Sequence, residues 1–251
     1  MALFALERGG TEPVVVCLHG FCQSCAYWAP TLDDLAEKDV RGLAPDLPGF
    51  GRSAGEPGPY TMSAMADAVA RMLDERGIAR VRLVGGSMGG VVAQQLVLRH
   101  PERVERLLLV ATGAVMNDPN AGLAKAEEIA AAPWDEAAVA PIVSGFFHRA
   151  PVDSDVARFR RIALDASHAA AVEAARSNAH NNTLDRLVEI RVPTLIVQGR
   201  HDRARTPEHG ALMRERIEGA TLAVIENAGH TPQLEDREMF HSIALPFLTA
   251  H

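Results

Sequence analysis

Six short apolar runs punctuate the chain: PVVVCL (13–18), RGLAP (41–45), VRLVG (81–85), RLLLVA (106–111), PTLIVQG (193–199) and TLAVIE (221–226). None alternates polar with apolar residues, so a strand made from any of them has two faces to bury. That is the situation of strands in a parallel sheet covered by helices. Helical patterns fall between the runs. In SAMADAVARMLDERG (63–77), Met65, Val69, Met72 and Leu73 form one stripe, with Ser63 as the expected N-cap and Gly77 as the C′ stop. REMFHSIALPFL (237–248) places Phe240, Ile243, Ala244 and Phe247 on one side. Alternating strand and helix predicts an α/β fold: a mostly parallel central sheet with helices on both faces.

The rhythm breaks over residues 114–190, where no strand run occurs and Ala, Glu and Arg dominate, as in LAKAEEIAAA and DVARFRRIALDASHAAAVEAARSNAH. Several helices are expected there, inserted between two strands as a cap (lid) over a core built from 1–113 and 191–251. At 251 residues, 47% of them hydrophobic, the chain is long enough for such a core.

In VRLVGGSMGGVVAQQL (81–96) the third run meets a helical pattern through a turn with four glycines around one serine. Open parallel sheets place ligands at the carboxyl ends of their strands, and Ser87 stands at such an end. Gly85-Gly86-Ser87-Met88-Gly89 fits G-x-S-x-G, a strained strand-to-helix turn that pushes a nucleophilic oxygen into the open. A tight packing turn with an incidental serine is the bland alternative. A phosphate-binding loop is disfavoured, since GGSMGG lacks the Lys-Ser/Thr ending and does not match G-x-G-x-x-G.

A serine nucleophile needs a base, and the base needs an orienting acid. His230, in IENAGHTPQLED, follows the last run, and Asp202, in LIVQGRHD, follows the one before it. The order Ser, Asp, His, each just past a strand, is that of a catalytic triad on a sheet of this kind. LHGF (18–21) follows the first run and is the place for a second oxyanion donor, Phe21 N–H, beside Met88 N–H. His19 there is expected to hold the loop. Pocket candidates are Trp28, Trp134, Phe146, Phe147 and Phe159. Arg158, Arg160 and Arg161 could bind a substrate carboxylate or form a solvated face.

Composition removes other classes. The net charge of −7 and the lack of a basic run argue against a nucleic-acid partner. No stretch approaches the roughly 20 apolar residues of a membrane span, and MALFALERGG lacks the pattern of a secretory signal, so a cytoplasmic protein is expected. Three cysteines, Cys17, Cys22 and Cys25, make neither a disulfide framework nor a complete metal-ligand set. No metal and no cofactor are expected.

CLHGF, PDLPGFGRS (45–53), GGSMGG, HPERVERLLLV, QGRHD and NAGHTPQLED, in this order and spread over nearly the whole chain, resemble the α/β-hydrolase superfamily. The resemblance implies Ser87 as nucleophile, His230 as base and Asp202 as acid, with Asp46 and Arg52 structural. TPEHGALM and IEGATLAVIENAGH look most like the compact esterase and enol-lactonase branch, which includes cofactor-free haloperoxidases. Gly86 departs from the many relatives with His before the serine, which predicts open space beside the nucleophile. Dehalogenases and epoxide hydrolases carry Asp where Ser87 stands. Carbon–carbon bond hydrolases usually have a glycine-richer loop than HGFCQS. The activity implied is hydrolysis of a small carboxylic ester or lactone through an acyl-enzyme. The alternatives are a carbon–carbon bond hydrolase or lyase reusing the triad, and a ligand-binding protein on the same fold. Oligomeric state is not legible.

Overall fold

A computed structural model describes residues 2–149 and 152–250; Met1, Ala150, Pro151 and His251 lie outside it. Seven strands form one sheet: β1 (Ala5–Arg8), β2 (Thr11–Leu18), β3 (Val40–Pro45), β4 (Val81–Gly86), β5 (Val104–Val110), β6 (Thr194–Gly199) and β7 (Thr221–Ile225). Their order across the sheet is β1-β3-β2-β4-β5-β6-β7. Strands β2 to β7 are parallel and match the six apolar runs. The seventh, β1, is an addition: a four-residue antiparallel edge on β3, too short and too polar at Glu7 and Arg8 to read as a buried strand.

Helices α1 (Ala29–Ala36), α2 (Met62–Glu75) and α3 (Met88–Arg99) are the crossovers between successive strands from β2 to β5. Between β5 and β6 come α4 (Pro119–Ala131), α5 (Glu136–Ser144), α6 (Asp153–Leu164) and α7 (His168–His180), with no named strand among them. Then follow α8 (Pro207–Arg216), between β6 and β7, and the terminal α9 (Pro232–Glu235) and α10 (Arg237–Thr249).

Side chains along each strand divide between two cores with the period of two that pleating imposes. Val16, Leu18, Leu83, Leu107 and Leu109 pack with α2, α3 and Met213 of α8, and the same cluster takes in Ile129, Val139, Phe146 and Phe159 of the inserted segment. Val15, Cys17, Val84, Leu108 and Val110 face the other way, onto Leu32 and Leu35 of α1 and Phe240, Ala244 and Leu248 of α10. The cap of α2 is Thr61, whose hydroxyl accepts from Ala64 N–H at 3.2 Å, two residues before the expected Ser63. Gly77 (φ +65°) does take the left-handed C′ position. On α10 the buried face includes His241, Leu245 and Leu248, while Ile243 and Phe247 lie at its margin.

The order of strands fixes where chemistry can occur. From β2 the chain steps one way to β3, and from β4 it steps the other way to β5, β6 and β7. β2 and β4 are neighbours, with Leu18 opposite Gly85, so the loops leaving them part at a switch point and leave a crevice. These are the loops that carry Phe21 and Ser87.

Candidate active site

Ser87 has φ +52° and ψ −118°, a conformation costing about 1–3 kcal/mol for a residue with a Cβ. It is held there by its own backbone. Its N–H donates to Val110 O at 2.9 Å, and its carbonyl accepts from Gly90 N–H at 2.9 Å and from the Thr112 hydroxyl at 2.7 Å. The surrounding glycines answer to space. A Cβ on Gly89 would stand 2.4 and 2.5 Å from the carbonyl oxygens of Leu18 and His19. One on Gly85 would meet Gly89 O at 2.4 Å, and one on Gly90 would meet Thr112. The N-terminus of α3 is thus seated directly on the ends of β2 and β4.

Gly86 is a different case. A Cβ there would meet Trp28 Cζ2 at 3.0 Å. The space expected beside the nucleophile is filled by the Trp28 indole. Trp28 therefore is no pocket residue: it is 1% exposed, in the core on the α1–α10 face, with its ring 6.3 Å from Phe240.

The three residues read as a triad come together. His230 Nε2 lies 2.7 Å from Ser87 Oγ, and His230 Nδ1 lies 2.7 Å from Asp202 Oδ2. The other Asp202 oxygen accepts from Ala204 N–H and Arg205 N–H, both at 2.8 Å. With Asp202 ionised and accepting throughout, the consistent tautomer has the proton on Nδ1, leaving Nε2 to accept from the serine hydroxyl. Asp202 and His230 are buried and Ser87 is partly open. Their loops touch backbone to backbone: Arg200 N–H donates to Ile225 O and His201 N–H to Ala228 O. A Cβ on Gly199 would fall 2.0 Å from Gly229 O.

The loop after β2 closes the other side. A Cβ on Gly20 would lie 3.1 Å from Ser87 Cβ, so the backbone entering Phe21 passes against Ser87. His19 is wholly buried and holds this loop. Leu47 N–H donates to Nε2 at 2.9 Å, which places the ring proton on Nδ1, donating to Gly20 O at 2.8 Å. Burial lowers the His19 pKa against the opposing pull of Asp46, which keeps that neutral pattern intact. Asp46 in turn accepts from Cys25 N–H and Arg52 N–H, and the Arg52 guanidinium lies 3.8 Å from the centre of the Phe4 ring. Among the described residues, no acceptor takes Phe21 N–H or Met88 N–H. Both amides are therefore unengaged, Met88 N–H next in sequence to Ser87 and Phe21 N–H next to Gly20, whose backbone approaches Ser87. Cys17, Cys22 and Cys25 are free and buried around the same loop; burial pushes all three thiols up, Cys25 to about 12 with Asp46 adding to the effect.

The aromatic candidates of the inserted segment separate into different roles. Phe146 is buried and stacks over His230, with centroids 6.3 Å apart, and meets Tyr27 edge-on at 6.2 Å. Phe147 lies between two cavities. One, of about 350 Å³, reaches His230 and is lined by Gly145, Phe147, His148, His201 and Arg203. The other, of about 320 Å³, is lined by Phe147, Phe159, Arg158 and Leu234. Phe159 packs on Tyr27 and Phe147, and Arg158 lies over its ring while pairing with Asp155. Trp134 stacks on His168 at 5.5 Å, a contact within the inserted segment itself. A wider hollow of about 520 Å³ between α2 and α7 is lined by no triad residue.

Two groups escaped the sequence. Arg205 is buried near Asp202, and its guanidinium donates to Val115 O at 3.2 Å and touches Met116, tying the loop after β6 to the start of the inserted segment. Glu235 binds the backbone on either side of His230. The signal for Glu235 was its place five residues after the histidine, but a carboxylate at a helix start reads first as a surface group.

Residues 13–237 match the α/β hydrolase fold family. The chain is 31% identical over 267 residues to pimeloyl-[acyl-carrier protein] methyl ester esterase of Aeromonas hydrophila, covering 97% of this chain and 98% of that one. It is 30% identical to the dihydrolipoyllysine-residue acetyltransferase component of the acetoin cleaving system of Cupriavidus necator, over 94% of this chain but only 64% of that protein. The solved enol-lactonase of Burkholderia xenovorans superposes with a TM-score of 0.89 at 27% identity, covering 98% of this chain and 96% of that one.

Proposed function

This chain belongs to the α/β hydrolase fold family, and from that premise we propose that it is a serine hydrolase cleaving a small carboxylic ester or lactone through an acyl-enzyme. The observation that carries the reading is the unbroken relay from Ser87 Oγ through His230 to Asp202, with 2.7 Å at both links. In the first half-reaction Ser87 Oγ attacks the carbonyl carbon while its proton passes to His230 Nε2. The carbonyl oxygen becomes an oxyanion between Phe21 N–H and Met88 N–H. Asp202 stabilises the imidazolium through Nδ1–H, and His230 returns the proton to the departing alkoxide. In the second, water loses a proton to the same nitrogen and attacks the acyl carbon; as the acyl–oxygen bond breaks, His230 returns that proton to Ser87 Oγ.

The helices between β5 and β6 are proposed as the lid that selects the substrate, with Phe147 and Phe159 in the walls of the cavities beneath it. No step calls for a metal or cofactor. The enol-lactonase and methyl ester esterase among the similar proteins fit an ester or lactone as substrate class.

The test joins labelling with turnover. A fluorophosphonate should label Ser87, found by peptide mass spectrometry, and Ser87→Ala should lose both the label and nearly all hydrolysis of short aryl esters. A panel of lactones, thioesters, β-diketones and cyanohydrins read beside the esters decides the class. Esters or lactones in front support hydrolysis. A β-diketone or cyanohydrin cleaved far faster than any ester overturns it in favour of carbon–carbon chemistry. A labelled serine with no turnover overturns it in favour of a binding protein.

A further inference from the structure

The loop that carries the proposed base, between β7 and α9, is short and has no regular partner of its own. Beyond the backbone contact of Ala228 with His201, the amides around His230 are held by one side chain. Glu235 Oε1 accepts from Gly229 N–H at 3.0 Å and from Thr231 N–H at 3.0 Å, the two amides immediately before and after His230. Its second oxygen, Oε2, accepts from His148 N–H at 2.6 Å, in the turn that follows α5 in the inserted segment. The Thr231 hydroxyl lies 3.0 Å from Phe146 O and 3.2 Å from Glu235 Oε1, so its single proton bridges the same pair of elements. The Phe146 ring stacks over the His230 imidazole. Gly229 completes the fit: a Cβ there would sit 2.8 Å from His148 N and 3.2 Å from Glu235 Oε1.

From this we infer that Glu235 is a positioning residue: it clamps the backbone on both sides of His230 and fastens that loop to the turn at 146–148, so that the base is aligned only while the turn is seated. The inference rests on the reading of His230 as the base.

A loop carrying a general base must hold the ring nitrogen within hydrogen-bond reach of the serine, and an error of about 1 Å can cost on the order of 10²-fold in rate. Rotation of the 229–231 backbone would swing the imidazole away from both Ser87 and Asp202. Two amides donating to one carboxylate oxygen resist that rotation, and a charged acceptor makes such bonds stronger than neutral ones. The third amide comes from an element that otherwise belongs to the wall of the cavity beside His230. Lifting the turn therefore breaks the His148 bond and removes the Phe146 ring from the imidazole together. Seating of the inserted segment and readiness of the base become one event.

Three variants and two readouts test this. Glu235→Gln keeps shape but offers one acceptor oxygen and presents an NH2 group to an amide N–H. Glu235→Asp keeps the charge on a shorter arm. Gly229→Ala pushes the turn from the other side. The first readout is kcat per labelled serine on an aryl ester, which corrects for any unfolded fraction. It should fall about 10- to 100-fold in Glu235→Gln and in Gly229→Ala, with partial recovery in Glu235→Asp. The second is the low-field proton resonance of His230 Nδ1–H, observed without substrate. It should be sharp in the parent protein and broadened or lost in Glu235→Gln, at a temperature where circular dichroism shows both folded. An unchanged resonance and an unchanged kcat per site in Glu235→Gln overturn the inference. If no ester is turned over by the parent protein but the resonance responds, the clamp stands and the hydrolase reading falls.

Discussion

Gly89→Ala is the substitution that most directly tests why Ser87, the proposed nucleophile, sits where it does. The added methyl would lie 2.4 Å from Leu18 O and 2.5 Å from His19 O, whereas an unstrained carbon–oxygen contact is about 3.3 Å. Both obstacles are backbone, held in β2 and its exit, so the N-terminus of α3 must retreat by about 0.9 Å to make room. Overpacking of this kind costs about 1–3 kcal/mol, and alanine's better helix propensity returns up to about 1 kcal/mol. With that return counted in full the net loss is about 0–2 kcal/mol, a fall in melting temperature of up to about 8 °C in a chain of this size. Function should suffer more than stability. Met88 N–H moves with the helix and away from Phe21 N–H, and losing one oxyanion donor costs about 10²–10³ in kcat. Gly86→Ala is the control: its methyl would touch Trp28 Cζ2 at 3.0 Å, so one buried indole edge rather than backbone would have to give, by a few tenths of an ångström. Thermal melts and aryl ester turnover per labelled serine should show Gly89→Ala folded and nearly inactive, and Gly86→Ala close to the parent. Parent-like turnover in Gly89→Ala would refute the assignment of α3's first amide to the oxyanion site.

Asp202→Asn should cost about 10⁴-fold in kcat. Its one remaining oxygen would be held by the Ala204 and Arg205 amides, its NH2 would face His230 Nδ1, and the ring proton would be forced onto Nε2; kinetics within tenfold of the parent would point to another acid. Acid should destabilise the fold through His19, His209 and His241, whose pKa values burial lowers, in His241 against the pull of Asp34. Because the unfolded chain takes these protons first, stability is lost as pH falls below about 6.5, by up to about 1.4 kcal/mol per pH unit for each histidine. Urea melts at pH 7.5 and 5.5 measure this, and a flat profile contradicts it. Thr61→Ala should lower stability by about 1 kcal/mol, while Ser63→Ala, one turn position inside the helix, should leave it within about 0.5 kcal/mol; the reverse order in denaturant melts would return the cap to Ser63.

The strands were legible because burial on both faces leaves an unbroken apolar run, and the two-core alternation of Leu83 with Val84 or Leu107 with Leu108 is the physical cause of that run. Ser87, Asp202 and His230 stood out because each lies just past such a run, and their side chains meet at 2.7 Å. What stayed hidden depended on contacts distant in sequence. Trp28 looked like a pocket aromatic, yet nothing local says that its indole fills the space at Gly86, 58 positions along the chain. β1 has no burial signature because one short edge pairing with β3 suffices for it. Ser63 is by type the slightly better cap, and only the extended backbone at Thr61 (φ −80°, ψ 156°) selects the threonine. Arg205 and Glu235 act on backbone groups, to which a sequence offers no pattern.

The three buried thiols turn the molecule into its own recorder of opening. A thiol is alkylated as its thiolate, and Cys17, Cys22 and Cys25 are both enclosed and held protonated by burial. They sit on different parts of one path: Cys17 inside β2, Cys22 at φ +52° in the loop past Phe21, Cys25 ahead of α1 with its amide on Asp46. A brief exposure to an alkylating reagent, read peptide by peptide, separates motion of the oxyanion loop from unfolding of the sheet. Mass added at Cys22 alone marks the loop lifting from Ser87, and mass added at Cys17 marks the sheet coming apart.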